Sequence, residues 1–155
     1  MKALETTPEE VLREAIQSEV ETRIYYQKLA ERTSSPAVRT RLLQLADIEL
    51  VHRAKMERKY RETIGQAPPD PAPVIIELDR DIVNLDMRQA LKHALERERE
   101  SESHYRFQAE RVPSSSVLGR LFNELAELEW KHKTDLQAEY DSVATKDPES
   151  FLNDL

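Results

Sequence analysis

The architecture of this chain follows from two octapeptides, Leu45-Ala-Asp-Ile-Glu-Leu-Val-His52 and Leu125-Ala-Glu-Leu-Glu-Trp-Lys-His132. Each octapeptide contains a glutamate followed three residues later by a histidine, and the second begins 80 residues after the first. Residues three apart lie on the same face of an α-helix, so each octapeptide presents a carboxylate and an imidazole side by side. The two octapeptides therefore predict two equivalent helices that carry the same polar pair.

The repeat extends to the segments that precede these octapeptides. Ala15-Ile-Gln-Ser-Glu19 matches Ala94-Leu-Glu-Arg-Glu98 at an offset of 79, and Tyr26 then aligns with Tyr105. When each segment is read at alternating steps of three and four residues, its apolar residues form a seam along one helix face. A glutamate interrupts every seam near its middle. The sequence thus predicts two homologous pairs of helices.

Capping residues and prolines predict where the helices begin and end. Thr7-Pro8 and Ser35-Pro36 each combine an N-cap with a proline at the first helical position, and Asp86 is a third N-cap. Gly65 is a favoured residue just after a helix. We predict one domain over residues 1–145, with helices at 8–33, 36–64, 87–112 and 116–143, a crossover at 65–86 and a short tail at 146–155.

The lengths of the links indicate the fold. A few residues join the first helix to the second and the third to the fourth, so each pair should form an antiparallel hairpin. The crossover has some 20 residues, enough at ~3.3 Å each to run along a helix of about 25 residues. We therefore predict an all-α fold, a ferritin-like four-helix bundle of two antiparallel helix hairpins joined by a long crossover. We expect Val74-Ile75-Ile76 of the crossover to pack against the helices.

The register of each hairpin brings its two seam glutamates to one height. The first turn centres near Ser34, midway between Glu19 and Glu49, and the second turn similarly separates Glu98 from Glu129. Burying ionised carboxylates costs several kcal/mol each unless nearby cations compensate their charge. Two divalent cations would cancel four carboxylates, and carboxylates with imidazoles suit iron or manganese. We predict a buried two-metal site with six ligands: Glu19, Glu49, His52, Glu98, Glu129 and His132.

Composition excludes several other classes of protein. Hydrophobic residues make up 39% of the chain and charged residues 34%, with a net charge of −7 and no cysteine. The negative charge argues against nucleic-acid partners, and no apolar run approaches the ~18 residues of a membrane helix. Without cysteine there is no disulfide, zinc-thiolate site or thiol nucleophile. We expect a cytoplasmic protein with neither a nucleic-acid nor a membrane partner.

At these residues the sequence resembles the rubrerythrin-like branch of the ferritin superfamily, over nearly the whole chain. The segments similar to the four helices of that family are, in order, AIQSEVETRIYYQKLAERT, LLQLADIELVHRAKM, ALKHALERERESESHYRFQAER and LFNELAELEWKHKTDL. The resemblance implies two iron ions in a dinuclear site that reacts with peroxide or dioxygen, and a role in oxidative stress. It also implies a homodimer, since bundles of this family often dimerise.

The resemblance assigns a role to each candidate residue. Glu19 and Glu98 would be terminal ligands, Glu49 and Glu129 would bridge the two metals, and the two histidines would be nitrogen ligands. In the family, a tyrosine follows the glutamate ligand of the first helix, and another follows that of the third helix, by seven residues each. Tyr26 and Tyr105 match these two tyrosines. The candidate catalytic residues are accordingly Glu19, Glu49, Glu98, Glu129, Tyr26 and Tyr105.

The sequence departs from the family pattern in two respects. Rubrerythrins carry a cysteine-rich rubredoxin module, and because this sequence has no cysteine, we expect an external electron donor, either another protein or ferrous iron. Rubrerythrins also have an extra carboxylate three residues after the glutamate of the third helix. Ser101 occupies that position here, so the set of ligands resembles the symmetric set of bacterioferritin-type ferroxidase centres.

Three functions are compatible with these patterns. The first is a di-iron oxidoreductase that reduces hydrogen peroxide or dioxygen. The second is a non-catalytic protein that binds, stores or delivers iron, and the third is a metal-free structural bundle. Manganese or another divalent metal could take the place of iron, because the same ligands suit both.

Overall fold

The computed structural model of the protein describes residues 6–146. Within this range the chain is helical, without any strand, and the helices are α1 (Pro8–Ala30), α2 (Pro36–Ile64), α3 (Met87–Glu110) and α4 (Val117–Lys146). The predicted all-α class is confirmed. The predicted tail, apart from its first residue, lies outside the described residues.

Local capping contacts explain where the first three helices begin. The side chains of Thr7 and Ser35 each accept a hydrogen bond from the backbone amide three residues later. Asp86 accepts a hydrogen bond of 2.8 Å from the amide of Gln89, whose side chain accepts one of 3.0 Å from the amide of Asp86. These bonds satisfy amides that have no acceptor within the first helical turn, and they confirm the predicted caps.

The helix ends lie a few residues from their predicted positions. α1 ends at Ala30 instead of residue 33, and α3 ends at Glu110 instead of residue 112. In both helices the next amide bonds to the carbonyl three residues back, which tightens the last turn and ends the regular helix. α4 runs from Val117 to Lys146 instead of 116–143. α2 ends as predicted, and Gly65 follows it with a left-handed φ of 82°.

The chain divides into two compact units between Asn84 and Leu85. In the first unit α1 packs along α2, and in the second α3 packs along α4, so each unit is a helix hairpin. Fully buried leucines fill both cores, and burying one such side chain contributes about 1.5–3 kcal/mol. The leucines with less than 2% exposure are Leu12, Leu29, Leu42, Leu45, Leu91 and Leu136.

Side chains of α1 hold the crossover against the first unit. The amide of Gln17 pairs with the backbone of Ala72: its Nε2 donates to the carbonyl at 3.2 Å, and its Oε1 accepts from the N–H at 2.9 Å. Past the end of α1, Arg32 donates to the carbonyls of Asp79 at 3.1 Å and Ile82 at 2.7 Å. The crossover is therefore attached at two places, each through its backbone.

The prediction that the apolar patch of the crossover packs against the helices is wrong for its central residue. Ile75 is 88% exposed. It lies between the attachment of Gln17 to Ala72 and the attachment of Arg32 to Asp79 and Ile82, where polar side chains hold the backbone. Hydrogen bonds hold the backbone on both sides of Ile75, and its side chain is exposed to solvent.

Gly119 lies where α4 approaches the turn that joins it to α3. A Cβ atom at this position would overlap the carbonyl oxygen of Pro113 and lie 3.0 Å from the Cα atom of Ser114. Because backbone atoms cannot move aside cheaply, we expect Gly119→Ala to lower the free energy of unfolding by about 1–3 kcal/mol. Urea denaturation measures this, with exposed Thr134→Ala as a control that should change stability by less than about 0.5 kcal/mol. Equal effects of the two substitutions would contradict the close approach.

Candidate metal centre

The first unit buries three polar residues at the middle of its helices. Glu19 comes from α1, and Glu49 and His52 come from α2; all three are buried. The Nδ1 atom of His52 lies 3.6 Å from Oε2 of Glu19 and 3.6 Å from Oε2 of Glu49. The hairpin therefore brings together the three residues of this unit that the sequence indicates as metal ligands.

The second unit contains the same arrangement. Glu98 of α3 and Glu129 and His132 of α4 are buried, and their candidate ligand atoms lie within 4.8 Å of one another. The Nδ1 atom of His132 lies 3.3 Å from Oε1 of Glu98. Each hairpin thus carries one glutamate of its first helix beside the Glu-x-x-His pair of its second helix.

Apolar side chains enclose each polar cluster along its helix. In α2, Leu45 lies one turn before Glu49 and Met56 one turn after His52, and both are buried. In α4, Leu125 and Leu136 bracket the polar residues in the same way. A carboxylate in such surroundings loses its hydration and costs several kcal/mol unless a positive charge compensates it.

The distances and the donor atoms fit a divalent cation in each unit. The separations of 3.3 and 3.6 Å between imidazole nitrogen and carboxylate oxygen exceed the 2.7–3.2 Å of a good hydrogen bond. Two ligands of one first-row metal ion, with bonds of about 2.1 Å at angles of about 90–120°, lie roughly 3.0–3.6 Å apart. Carboxylate oxygen and imidazole nitrogen are also the donors that iron and manganese accept.

Two tyrosines lie on the same helix faces as Glu19 and Glu98. Tyr26 and Tyr105 are buried, each two helical turns after the glutamate of its helix. A neighbouring ring packs against each of them, since Tyr25 lies 5.8 Å from Tyr26 and His104 lies 5.3 Å from Tyr105, between ring centroids. The structure therefore places both tyrosines inside their hairpins, and their catalytic role stays a prediction.

A network of ion pairs beside the second cluster was not predicted. Glu102, one turn after Glu98, accepts hydrogen bonds from Lys133 Nζ and from Arg106 Nε. Arg106 also donates to Glu127 at 3.0 Å. Glu102 and Arg106 are four residues apart, a helical spacing that can be recognised in the sequence. The contact between Glu102 and Lys133 joins two different helices, so no local sequence pattern predicts it.

Hydrogen bonds keep Glu102 ionised. Partial burial acts to raise the pKa of its carboxyl, but the hydrogen bonds from Lys133 and Arg106 outweigh burial and hold the pKa below its ordinary value of 4.5. Because the pKa is lower in the folded state, these bonds stabilise the protein above about pH 4.5, and the contribution disappears as the pH falls through the lowered pKa.

We expect Glu102→Gln to lower the free energy of unfolding at pH 7 by about 1 kcal/mol. The difference from the unmodified protein should shrink as the pH falls below 4.5, since the carboxyl then takes up its proton in both states. Urea denaturation at pH 7 and pH 3.5 tests this, with exposed Glu110→Gln in α3 as the control. A difference that stays constant between the two pH values would contradict the charged hydrogen bonds of Glu102.

Trp130 follows Glu129 directly in α4 and is 45% exposed. A side chain with that exposure does not belong to the buried cluster of the second unit. The structure therefore separates this residue from the ligands, although the sequence places it beside one of them.

Comparison with known families agrees with the sequence pattern. The family model described as rubrerythrin matches residues 10–140, a range that includes all six candidate ligands. No curated protein and no solved structure matches the chain significantly. None of the helices within residues 6–146 combines the length and the apolar composition that a membrane span requires.

Proposed function

The chain belongs to the rubrerythrin family, and on that premise we propose that it is a di-iron oxidoreductase which reduces hydrogen peroxide or dioxygen. The observation that carries the proposal is the duplicated buried cluster, two carboxylates and one imidazole in each hairpin. One cluster has the donors for one cation, so the pair has the donors for two. Proteins of the ferritin-like di-iron class use the same ligand pattern.

Charge balance supports two divalent cations. The two clusters together contain four carboxylates, whose negative charges two divalent ions would cancel. We assign Glu19 and Glu98 as terminal ligands and Glu49 and Glu129 as bridges. The histidines His52 and His132 complete the set as nitrogen ligands.

Bound ferrous ions would supply two electrons, so that one hydrogen peroxide and two protons become two water molecules. The protein's own residues hold the ligands in place and keep bulk water away from them. Buried leucines on either side of each polar cluster keep bulk water away from the ligands. We assign the buried Tyr26 and Tyr105 to orient the ligands and to deliver protons, since each has a phenol hydroxyl inside its hairpin.

A separate reductant would restore the ferrous state. None of the 155 residues is a cysteine, so this sequence contains no thiolate-bound iron centre that could pass electrons to the site. We propose that the donor is another protein or ferrous iron in solution.

Iron handling of the ferroxidase type is the second candidate function. The position of the extra carboxylate in rubrerythrins is Ser101 here, and the buried Thr22 occupies the equivalent position of α1. With hydroxyl side chains at both positions, the ligand set is symmetric. Such a symmetric set resembles the ligand set of bacterioferritin-type ferroxidase centres, and this resemblance favours the second candidate.

Peroxide consumption by protein loaded anaerobically with ferrous iron tests the proposal. We expect one peroxide consumed for every two iron ions, at a rate at least about tenfold above that of free ferrous iron, and repeated turnover when a reductant is added. If the bound ferrous iron is oxidised only once and is then released to a chelator, the result would instead support the second candidate. An iron-loaded protein that does not react with peroxide or dioxygen would contradict both.

A further inference from the structure

The outer face of α2 carries a cluster of exposed apolar side chains. Leu43, Leu50 and Val51 are 42%, 38% and 54% exposed. Steps of seven and eight residues place the latter two on the same side of the helix as Leu43. The candidate ligands Glu49 and His52 flank this pair in the sequence and are buried on the opposite side. The apolar cluster therefore lies behind two candidate ligands, about one helix diameter, roughly 10 Å, away from them.

The internal repeat shows that a hairpin can pack without this cluster. At an offset of 80 residues, its three positions correspond in α4 to Asn123, Trp130 and Lys131. Two of these three residues are polar or charged, although α4 packs along α3 as α2 packs along α1. A single exposed apolar side chain is ordinary, but three on one helix face indicate a surface that contacts another molecule.

Of the four helices within residues 6–146, only α2 has a net positive charge. It contains seven arginine or lysine residues and four aspartate or glutamate residues, which gives +3. The same count gives −2 for α1, 0 for α3 and −2 for α4, and the whole chain carries −7. Each helix includes one candidate glutamate ligand, so the ligands do not account for the difference. Lys55, Arg58 and Arg61 are exposed, so cations follow the apolar cluster along α2.

We propose that the outer face of α2 is the docking surface for the electron donor, and that this donor is a small protein with an acidic surface. The inference rests on the proposed function, which requires a reductant from outside the chain. An apolar centre with a charged rim is the usual anatomy of a protein interface. An acidic partner is attracted to α2 and repelled by the rest of this acidic chain, which orients it on this face.

Docking on α2 would place the redox group of the donor across a single helix from Glu49 and His52. A one-electron donor is oxidised once in each encounter and reduces one ferric ion to ferrous. Two encounters therefore return the two electrons that each hydrogen peroxide consumes.

Two other occupants fit this face less well. A second copy of the chain, docked through the same face, would set the +3 charge of α2 against an identical charge. A membrane surface requires a broad apolar face with aromatic anchors. The broad apolar face of α2 is already buried inside the hairpin, and the outer cluster consists of three aliphatic side chains.

Binding of a plant-type [2Fe–2S] ferredoxin tests the docking surface. This small acidic electron carrier has a potential of about −400 mV and can reduce ferric iron. Calorimetry with the iron-loaded protein measures the dissociation constant, which should rise at least about tenfold between roughly 10 mM and 0.5 M salt. Carbodiimide, which joins a carboxylate to a lysine in contact with it, should link ferredoxin to Lys55 of α2 and not to the exposed Lys131 of α4.

Variants of α2 separate the charged rim from the apolar centre. Lys55→Glu combined with Arg58→Glu should weaken ferredoxin binding at least about tenfold at low salt, and the effect should shrink at high salt. The milder pair Lys55→Gln and Arg58→Gln should act in the same direction. Leu50→Ser combined with Val51→Ser should weaken binding at least about fivefold at both salt concentrations, because apolar contacts are not screened.

The equivalent residues of α4 provide matched controls. Lys131→Glu and Trp130→Ser should leave ferredoxin binding unchanged. Stopped-flow reduction of the ferric protein by reduced ferredoxin should slow in the α2 variants and not in the α4 variants. Reduction by a small uncharged hydroquinone should be equal in all of them, which shows that the ligands are undisturbed. Circular dichroism checks that each variant is folded.

The possible outcomes separate this inference from the proposed function. Ferredoxin that does not bind, or that binds the α2 variants and the unmodified protein equally, would overturn the docking surface and leave the di-iron function intact. Binding to phosphatidylserine vesicles, or self-association, that is lost in the α2 variants would assign the face to another occupant and overturn it as well. A protein that binds ferredoxin on α2 but reduces neither peroxide nor dioxygen would overturn the proposed function alone.

Discussion

Glu49→Ala and Glu129→Ala should each reduce metal loading from two ions per chain to at most one. Each substitution removes a carboxylate that the proposal assigns as a bridge, so it takes a ligand from both cations. The imidazole of His52 lies 3.6 Å from the carboxylate of Glu49, and the ligand atoms of Glu129 and His132 lie within 4.8 Å of each other. Peroxide consumption should fall at least about a hundredfold, since reaction at a dinuclear site requires both ions.

Elemental analysis after anaerobic iron loading and desalting measures the number of ions retained. Glu62→Ala in α2 and Asp135→Ala in α4 are the controls, because both residues are exposed acids on the same helices. Both controls should retain two ions per chain. Glu19→Ala should weaken one site more than the other, because a terminal ligand serves a single ion. Two ions retained by Glu49→Ala or Glu129→Ala would contradict the assignment of bridges.

Removal of bound metal should lower the midpoint of thermal unfolding by about 10–20 °C. A ligand present at a hundred times its dissociation constant stabilises the folded state by about 2.7 kcal/mol, so two such sites contribute about 5 kcal/mol. For a chain of this size, 1 kcal/mol shifts the midpoint by about 2–4 °C. In the metal-free protein, carboxylates in a buried cluster also repel one another.

Differential scanning calorimetry with and without a chelator measures this shift. The matched variant carries Glu49→Gln and Glu129→Gln, which keep the shape of both side chains and remove their charge. Its metal-free midpoint should lie above that of the metal-free unmodified protein, because a neutral amide costs less to bury than a carboxylate. Its midpoint should also no longer respond to metal. An unmodified protein whose midpoint does not respond to metal or chelator would instead be the metal-free structural bundle.

Local chemistry made the caps and the polar clusters predictable. Thr7, Ser35 and Asp86 cap their helices through bonds that span three residues, so each cap is present in the sequence around it. The clusters are predictable for a related reason. Helical spacing places Glu and His of each octapeptide together, and a short turn then sets the height of the partner glutamate.

Contacts between distant segments could not be predicted in this way. Gln17 pairs with Ala72 across 55 residues, and Lys133 bonds to Glu102 across 31. Such contacts depend on the rotation of each helix about its axis and on the path of the crossover. A helix rotated by a few tens of degrees, or a crossover on a different path, would bring other partners together. The sequence pattern does not fix the rotation or the path that closely.

The sequence by itself determined the helical class, the two hairpins and the identity of the polar residues at their centres, because periodicity and caps are local properties and the repeat is visible when the sequence is compared with itself. Only the tertiary structure decided that Ile75 faces solvent and Trp130 lies outside the cluster. It also decided that Glu102 is neutralised by Lys133 and Arg106, whereas Arg23 has its buried Nε without a hydrogen-bond partner among the described residues. The reason is physical: the energy of a charge or an apolar group depends on every segment packed around it, and those segments are distant in sequence.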